Sequence, residues 1–156
     1  MRDDEFERLY TEEAAGLFSF LAYRTGDRAL AEDLLADAFE RALRGKFNPR
    51  KGSAKTWLYS IALNALRDHL RRAQAEGRAY ERLDAGVPGD PFADFEARDE
   101  LVRAMAGLSA DEREAIALRF GAGLTVPETA AIVGEPLTTV EGRVYRALRK
   151  LREALG

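Results

Sequence analysis

Hydrophobic residues recur at three- and four-residue steps along most of this chain, the spacing of one face of an α-helix. The pattern predicts a first helix over residues 5–24, a break at Gly26 and a second helix over Ala29–Leu43. A loop at 45–54 contains glycine and proline, and a third helix is predicted over Lys55–Arg72. The chain is therefore predicted to be all-α.

Each of these helices has a predicted inner face. In the first, the inward residues are Phe6, Leu9, Tyr10, Ala14, Leu17, Phe18 and Leu21. In the third, they are Leu58, Ile61, Ala62, Ala65, Leu66 and Leu70. Trp57 and Tyr59 add aromatic surface beside that stripe, although for Trp57 a place in the core is an equally good interpretation.

Helices return in the last third of the chain, after a stretch rich in glycine and proline. Residues 73–97 have no sustained helical period beyond about Leu83 and are acidic toward their end, so they are predicted to form a flexible tether. A short helix is predicted over Arg98–Gly107. A capping box at Ser109 then opens a helix over Asp111–Phe120, with Phe120 facing inward.

The stretch 124–151 predicts two helices with a tight break between them. Thr125 can cap the first helix, Gly134 ends it, and a longer helix follows Pro136. The polar face of the longer helix is basic, with Arg143, Arg146, Arg149, Lys150 and Arg152. A short helix, a glycine turn and a basic helix form the helix-turn-helix pattern, in which the second helix enters the DNA major groove. An ordinary helical hairpin with a solvated basic face would show the same pattern.

Composition excludes several kinds of chemistry. The chain has 156 residues, no cysteine and a single histidine, His69, so disulfides, thiolate metal sites and a histidine-dependent catalytic triad are not expected. The chain has no long apolar run, so no membrane-spanning helix is predicted. Its acidic N-terminus does not resemble a secretory signal. We therefore expect a cytoplasmic protein that is not an enzyme, has no cofactor and does not insert into membranes.

Charge is segregated along the chain although the net charge is only −3. Residues 3–40 carry eleven acids against three arginines, whereas residues 41–72 carry nine bases against one acid. Residues 84–100 are again acidic, and residues 138–153 carry five bases against two acids. Separated charges of this kind suggest at least two kinds of partner surface, although a set of solvated helix faces would show the same charge pattern. Carboxylates on the second helix could suggest a metal site, but they lie on one polar face without convergent ligands.

Two passages together resemble a known family. ALAEDLLADAFERAL (29–43) and TWLYSIALNALRDHLRR (56–72) resemble region 2 of bacterial RNA polymerase sigma factors. The passage from LSADEREAI to KLREAL (108–155) resembles their region 4, and the size resembles the extracytoplasmic-function (ECF) group of the sigma-70 family. The resemblance implies a region 2 helical bundle in residues 1–75, a flexible acidic linker in 76–97 and a region 4 helix-turn-helix domain in 98–156.

The resemblance also implies partners and site residues. RNA polymerase core would be contacted through its β′ clamp helices and β flap, promoter DNA through both regions, and an anti-sigma factor is expected. The residues implied in docking on the clamp helices are Glu32, Asp33, Asp37 and Glu40. Those implied in reading and opening the −10 element are Asn48, Arg50, Lys51, Ser53, Lys55, Thr56, Trp57, Ser60, Asn64, Arg67, Asp68 and Arg71. The tether would run through the polymerase, its acids occupying a channel built for a polyanion.

For the −35 element, the resemblance implies a reading helix that starts at Pro136 or Thr138. Its implied DNA-facing residues are Thr139, Glu141, Gly142, Arg143, Tyr145, Arg146, Arg149 and Lys150. Arginine can bind guanine at two points, so Arg146 is expected to contact a base edge. Arg143, Arg149 and Lys150 are expected to contact the DNA backbone, which sets affinity rather than sequence preference.

This chain departs from the family pattern at Glu141-Gly142, where a basic residue and a serine are usual. Glu141 would either accept a hydrogen bond from a cytosine amine or close a capping box with Thr138. Gly142 inside a helix costs about 1 kcal/mol against alanine, which suggests a close approach to DNA or to another helix. Leu43 and Ala36-Asp37 also differ from the usual residues on the docking helix, so that contact is expected to differ in detail.

The predicted function is that of a promoter-specificity subunit that directs polymerase to −35/−10 promoters and nucleates melting. A stand-alone helix-turn-helix regulator would explain 124–151 but leave 29–72 without a purpose. A helical adaptor that resembles a sigma factor but does not start transcription is the other alternative, and Glu141-Gly142 keeps it open.

Overall fold

The computed structural model describes residues 1–77, 100 and 103–156. Its N-terminal half contains three long helices: α1 (Asp3–Thr25), α2 (Arg28–Arg44) and α3 (Ala54–Ala75). A single 3₁₀ turn, Pro49–Lys51, lies in the loop between α2 and α3. The three helices predicted from hydrophobic spacing are thus confirmed, each longer than predicted by one to three residues at its ends.

The C-terminal half contains four elements after Ser109. These are α4 (Ala110–Ile116), a π-helical segment (Ala117–Gly121), α5 (Val126–Val133) and α6 (Leu137–Leu155). Of the short helix predicted at 98–107, only 100 and 103–107 are described, and residues 100 and 103–106 are helical. The predicted linker lies outside the described residues except for its first two positions.

Local sequence signals determine where the first helices begin and end. Gly26 ends α1 in the left-handed conformation, with φ 67°, which glycine adopts without steric cost. Asp27 then caps α2, because its Oδ1 accepts a hydrogen bond from the Leu30 N–H at 3.1 Å. Ser53 caps α3 in the same way, accepting from the Thr56 N–H at 3.1 Å. Helices α1 and α2 therefore pack as neighbours across a two-residue turn, and α3 closes the bundle.

Two hydrophobic clusters stabilise the chain. The first fills the bundle of α1, α2 and α3, and its fully buried large side chains include Leu17, Phe20, Leu21, Leu58, Leu63 and Leu66. The second is smaller and holds α4, α5 and α6 together through Met105, Leu108, Ala115, Ile116, Ala130, Val140, Val144 and Ala147. Each half thus has a core of its own, as two helical domains require.

The first cluster also extends across both halves. Leu118 and Leu124 of the C-terminal half are fully buried in it. Contact is close at Gly121, where an added Cβ would lie 3.2 Å from Tyr23 Cδ2. A Cβ on Gly16 of α1 would likewise lie 3.7 Å from the Ala122 carbonyl oxygen. The π-helical segment therefore packs directly on α1, and α5 packs on α3.

Three predicted orientations are wrong, one of them because of this packing. Tyr59, predicted as aromatic surface, is only 1% exposed because the C-terminal half covers the second face of α3. Phe120, predicted to face inward, is 54% exposed. The π-helical turn, in which the Ala122 N–H bonds the Ala117 carbonyl at 3.1 Å, is wider than an α-turn. It shifts the register so that Leu118 points inward instead. Tyr10, also predicted inward, is half exposed, with its ring 4.9 Å from that of Phe39.

No helix in the part of the chain that the structure describes is long and apolar enough to cross a membrane.

Candidate nucleic-acid interface

The helix-turn-helix predicted in the last third is present. Thr125 and Glu128 form a capping box at the start of α5, with both of its hydrogen bonds made at 2.9 and 3.1 Å. Gly134 ends α5 at φ 72°, and its N–H bonds the Ala130 carbonyl at 2.9 Å. Pro136 precedes α6, whose inner face is buried against α4 and α5. The outer face of α6 is thereby presented to solvent.

Most residues predicted to read the −35 element lie on this outer face. Tyr145 is the most open, at 68% exposure. Glu141, Arg146, Arg149 and Lys150 are also exposed, whereas Thr139 and Gly142 are half-buried. The structure therefore brings these side chains together on one accessible surface.

Arg143 differs from the other predicted contacts. Its side chain is only 18% exposed and lies between two carboxylates, with Nη2 3.6 Å from both Asp111 Oδ2 and Glu135 Oε1. Arg143 thus joins α4, the turn and α6, and its guanidinium is occupied within the fold. A contact from this residue to DNA requires that the side chain leave this position.

Behind the outer face lies a carboxylate that the sequence interpretation did not assign to the site. Glu112 of α4 is buried, and its Oε1 accepts hydrogen bonds from Lys150 Nζ at 2.7 Å and from the Ser109 N–H at 2.8 Å. Its Oε2 lies 3.9 Å from Arg146 Nε. The hydrogen bond from Lys150, together with that from Ser109, holds the pKa of Glu112 below its usual range. The capping-box spacing of Ser109 and Glu112 was visible in the sequence, but the long-range pairing was not.

The start of α6 removes one of two explanations for Glu141. The helix begins at Leu137 with Pro136 at the cap position and no side-chain cap, so Thr138 is already inside the first turn. The predicted alternative of a capping box between Thr138 and Glu141 is therefore wrong. Glu141 is exposed, and its contact with a base stays a prediction.

The basic loop between α2 and α3 presents the first part of the predicted −10 surface. Asn48 caps the 3₁₀ turn, its Oδ1 accepting from the Arg50 N–H at 3.0 Å. Arg50, Lys51 and Ser53 are exposed, so the loop offers cations to solvent around an ordered turn. Thr56, half-buried, supplies the N–H that Ser53 caps.

Trp57 is half-buried at the base of this loop. Its ring lies 5.4 Å from that of Phe47, and its Cζ2 would be 2.9 Å from a Cβ added to Gly45. The side chain thus packs the loop against the bundle, which favours the structural interpretation of this residue over a freely exposed one.

The remaining −10 residues follow the polar face of α3. Asn64, Arg67 and Arg71 are exposed there and border one concave patch with Asp68, while Ser60 is half-buried. Asp68 pairs with Arg71 and also accepts from Arg41 Nη1 of α2 at 3.4 Å. These hydrogen bonds, that from Arg71 first, lower the pKa of Asp68. The sequence interpretation missed Arg41, because nothing in the helical period of α2 shows that this side chain reaches α3.

Two cations of the predicted −10 surface are paired with carboxylates of the C-terminal half. Arg67 Nη2 lies 3.2 Å from Glu114 Oε2, and the Glu114 side chain is almost fully buried. Lys55 Nζ lies 3.5 Å from Glu128 Oε2. In this arrangement the C-terminal half covers part of α3 and neutralises two of the charges that were predicted to face DNA.

The predicted docking face on α2 is exposed. Glu32 and Asp33 are open to solvent. Asp37 and Glu40 instead form ion pairs one turn along the same helix, with Arg41 at 3.2 Å and with Arg44 respectively. Glu32 and Asp33 are therefore the freer acids of the four.

Comparison with known proteins agrees with this two-part arrangement. Residues 9–76 match the family model for sigma-70 region 2, and residues 98–151 match the model for sigma-70 region 4. The ECF RNA polymerase sigma factor BldN of Streptomyces coelicolor is 34% identical over 97% of this chain, which spans 61% of BldN. The RNA polymerase sigma factor CarQ of Myxococcus xanthus is 34% identical, over 98% of this chain and 90% of CarQ.

Solved structures agree with these relatives. The sigma factor RpoE of Bartonella quintana, in complex with the anti-sigma factor NepR, superposes with a TM-score of 0.76 at 25% identity, over 97% of both chains. CnrH in complex with the cytosolic domain of CnrY superposes with a TM-score of 0.74 at 26% identity, over 99% of this chain and 89% of CnrH.

Fold and surfaces together define a helical DNA-binding protein with two separate basic faces. The chain belongs to the sigma-70 family of RNA polymerase sigma factors, in the ECF group. Members of this family are the promoter-recognition subunits of RNA polymerase and are generally not enzymes.

Proposed function

We propose that this chain binds core RNA polymerase, directs it to promoters with −35 and −10 elements, and nucleates DNA melting. The observation that supports this most is the presence of both halves on one chain, in sigma order, with the outer face of α6 exposed. Polymerase core and promoter DNA are the proposed partners, and the proposed location is the cytoplasm. The division into 1–75, 76–97 and 98–156 stays a prediction.

At the −35 element, α6 lies in the major groove with its exposed face toward the bases. Arg146 reads a guanine through two hydrogen bonds, and Arg149 and Lys150 contact phosphates. Tyr145 adds an exposed ring next to Arg146. The guanidinium of Arg143 is held by Asp111 and Glu135, so Arg143 contributes to the scaffold more than to affinity.

At the −10 element, the loop around Asn48 receives an extruded base of the non-template strand. Unstacking a base costs a few kcal/mol, which contacts to the captured base and to phosphates must offset. Lys55 and Arg67 supply phosphate contacts only after their pairs with Glu128 and Glu114 have opened. The two halves therefore separate before or during melting.

Docking on the β′ clamp helices uses the acidic face of α2, and region 4 contacts the β flap. Glu32 and Asp33 carry the clamp contact because they are exposed and form no ion pair within the described chain. An anti-sigma factor is a proposed third partner, since the Bartonella relative was solved in complex with one.

The test is run-off transcription with purified core polymerase over a library of promoters that vary in both elements. We expect start-site-specific transcripts only when the chain is present. Arg146→Ala should reduce −35 selectivity without changing core binding. The double change Glu32→Lys/Asp33→Lys should weaken core binding while −35 preference is kept. The matched control is Glu7→Lys/Glu12→Lys, which reverses the same number of charges at two exposed positions of α1.

Failure of the wild-type chain to bind core or to give specific transcripts contradicts the proposal. A gel shift on duplex DNA without polymerase then distinguishes a stand-alone regulator from a helical adaptor that does not bind DNA. Equal effects of the Arg146 and α2 changes on core binding and on −35 preference would refute the assignment of separate roles.

A further inference from the structure

We propose that Glu112 is a positioning residue for −35 recognition. It anchors Lys150 and, with the space that Gly142 leaves, holds the guanidinium of Arg146 over the outer face of α6. The inference rests on the proposed function and assigns a role to a residue that does not face the DNA.

Glu112 is suited to this role because its own side chain is buried and hydrogen-bonded. It is buried, it occupies the third position of α4, and it closes a complete capping box with Ser109. One of its oxygens accepts from both the Ser109 N–H and Lys150 Nζ. The other oxygen faces Arg146. Two of the cations of α6, Lys150 and Arg146, thus lie against one carboxylate of a different helix.

Gly142 completes the arrangement from the side of α6. Residues 142 and 146 are one turn apart, so their side chains share a face. A Cβ on Gly142 would lie 3.0 Å from Arg146 Nη1 and 3.7 Å from its Cζ. The three atoms nearest to such a Cβ outside the helix backbone all belong to this guanidinium. Glycine at position 142 therefore leaves room for the Arg146 side chain. Within the described chain, the nearest atoms are those of Arg146 and not those of another helix, as one prediction had it.

The pairing of Glu112 with Lys150 and Arg146 has two opposite consequences for DNA binding. A carboxylate beside two cations weakens their attraction for phosphate, so it lowers sequence-independent affinity. Arginine reads guanine through two parallel hydrogen bonds, which need a defined orientation of the fork. Because Nε is the Arg146 atom that lies 3.9 Å from Glu112 Oε2, the terminal amino groups of Arg146 stay available for that purpose. Ordering a long side chain before binding removes part of the entropy that binding would otherwise cost.

Opposite consequences give the inference a signature that a purely structural role lacks. If Glu112 only stabilised the fold, its replacement would lower specific and non-specific binding together. If it orients Arg146 and Lys150, its replacement should lower −35 discrimination while non-specific affinity stays equal or increases.

The experiment compares Glu112→Gln with Glu128→Gln in the full chain. Glutamine can replace glutamate in a capping box, and Glu128 holds the same capping-box position in α5. The two variants therefore differ in which cations lose their partner: Lys150 and Arg146 of α6 for Glu112→Gln, and Lys55 of α3 for Glu128→Gln. Transcription with core polymerase is measured on promoters that differ only in the −35 element, and binding to non-promoter duplex is measured in parallel. Thermal unfolding reports whether each variant is folded.

For Glu112→Gln we expect −35 discrimination to fall about two- to tenfold, the equivalent of releasing one ordered long side chain. Non-specific duplex binding should not fall. Glu128→Gln should keep the wild-type −35 preference. Gly142→Ser, which displaces the Arg146 guanidinium, should lose discrimination at the same base pair as Arg146→Ala.

Unchanged −35 discrimination in Glu112→Gln, with wild-type transcription intact, would overturn the inference. A parallel fall of specific and non-specific binding would also overturn it, as would loss of discrimination at base pairs that Arg146→Ala does not affect. Absence of specific transcripts from the wild-type chain is a different outcome, because it refutes the proposed function itself.

Discussion

Cysteines at positions 23 and 121 should form a disulfide that locks the two halves of the chain together. A Cβ added to Gly121 lies 3.6 Å from the Cβ of Tyr23, within the range of about 3.5–4.5 Å that disulfides require. The natural chain has no cysteine, so the double variant Tyr23→Cys/Gly121→Cys has only one possible pairing. Formation of the bond under mild oxidation is itself a test of how α1 and the π-helical segment pack.

The oxidised variant should be more stable than the same variant after reduction. Closing a loop of about 98 residues removes chain entropy from the unfolded state worth about 4.7 kcal/mol in the loop-closure model, and measured disulfides typically give about 2–4 kcal/mol. For a chain of this size, about 3 kcal/mol raises Tm by about 6–12 °C. Because both states lack the Tyr23 ring, the loss of its packing cancels in the comparison.

The functional effect follows from the charges that the closed arrangement occupies. Lys55 and Arg67 stay paired with Glu128 and Glu114 while the lock holds, so these two cations of the −10 surface cannot contact phosphates. We expect the oxidised form to lose specific run-off transcription at least about tenfold, and reduction to restore it. The exposed acids of α2 are not covered, so the oxidised form should still bind core polymerase and compete with the wild-type chain.

Quantitative disulfide formation, shown by the absence of free thiols, combined with full transcription by the oxidised form would refute this reasoning. The two halves would then not need to separate for melting. Failure of the disulfide to form in the folded chain would instead show that the α1 contact is not the one described. The single variants Tyr23→Cys and Gly121→Cys, treated with the same oxidant, control for each substitution alone.

Three further predictions concern single groups. Gly142→Ala should stabilise α6 by about 1 kcal/mol in denaturant unfolding, since only the movable end of Arg146 must shift, and a loss of stability would contradict this. Burial raises the pKa of Glu13, whose Oε2 has no hydrogen-bond partner in the described chain. Glu13→Gln should therefore add about 1 kcal/mol to the free energy of unfolding at pH 7, and less at pH 4, where the acid is protonated. The lowered pKa of Glu112 means that its contribution is complete above about pH 4.5 and is lost as pH falls through the folded-state pKa. The free energy of unfolding of Glu112→Gln, measured by urea titration at several pH values, should therefore depend less on pH in that acidic range than that of the wild-type chain. An equal dependence on pH in both proteins would count against the pairing of Glu112 with Lys150.

The helices and the turns between them could be predicted from the sequence because their signals are local. Hydrophobic spacing gave the helix spans, and glycine or capping residues marked the ends at Gly26, Ser109, Thr125 and Gly134. These signals act within four residues of the chain, so one sequence contains them in full. Assignment of the basic outer face of α6 followed from the same periodicity.

The contacts between the halves could not be predicted in this way. Burial of Tyr59 depends on a second layer covering α3, and a helix buried on two sides has no single stripe that a period can detect. Exposure of Phe120 depends on one π-helical turn, which changes the register without a sequence signal of its own. The Arg67–Glu114 pair joins residues 47 positions apart, and charge patterning reports only net segments, not partners.

Ion pairs within the chain affect how a protein of net charge −3 binds DNA through two surfaces. Lys55, Arg67 and Lys150 are each bonded to a carboxylate of the same chain, and Arg71 is bonded to Asp68. Sequence-independent affinity grows with the number of phosphates that free cations neutralise, so the isolated chain should bind duplex DNA weakly. Each pair must be exchanged for a phosphate contact, and that exchange becomes favourable when the DNA is already held by another surface. Polymerase core provides such a surface in the proposed function, which makes promoter recognition by this chain conditional on assembly.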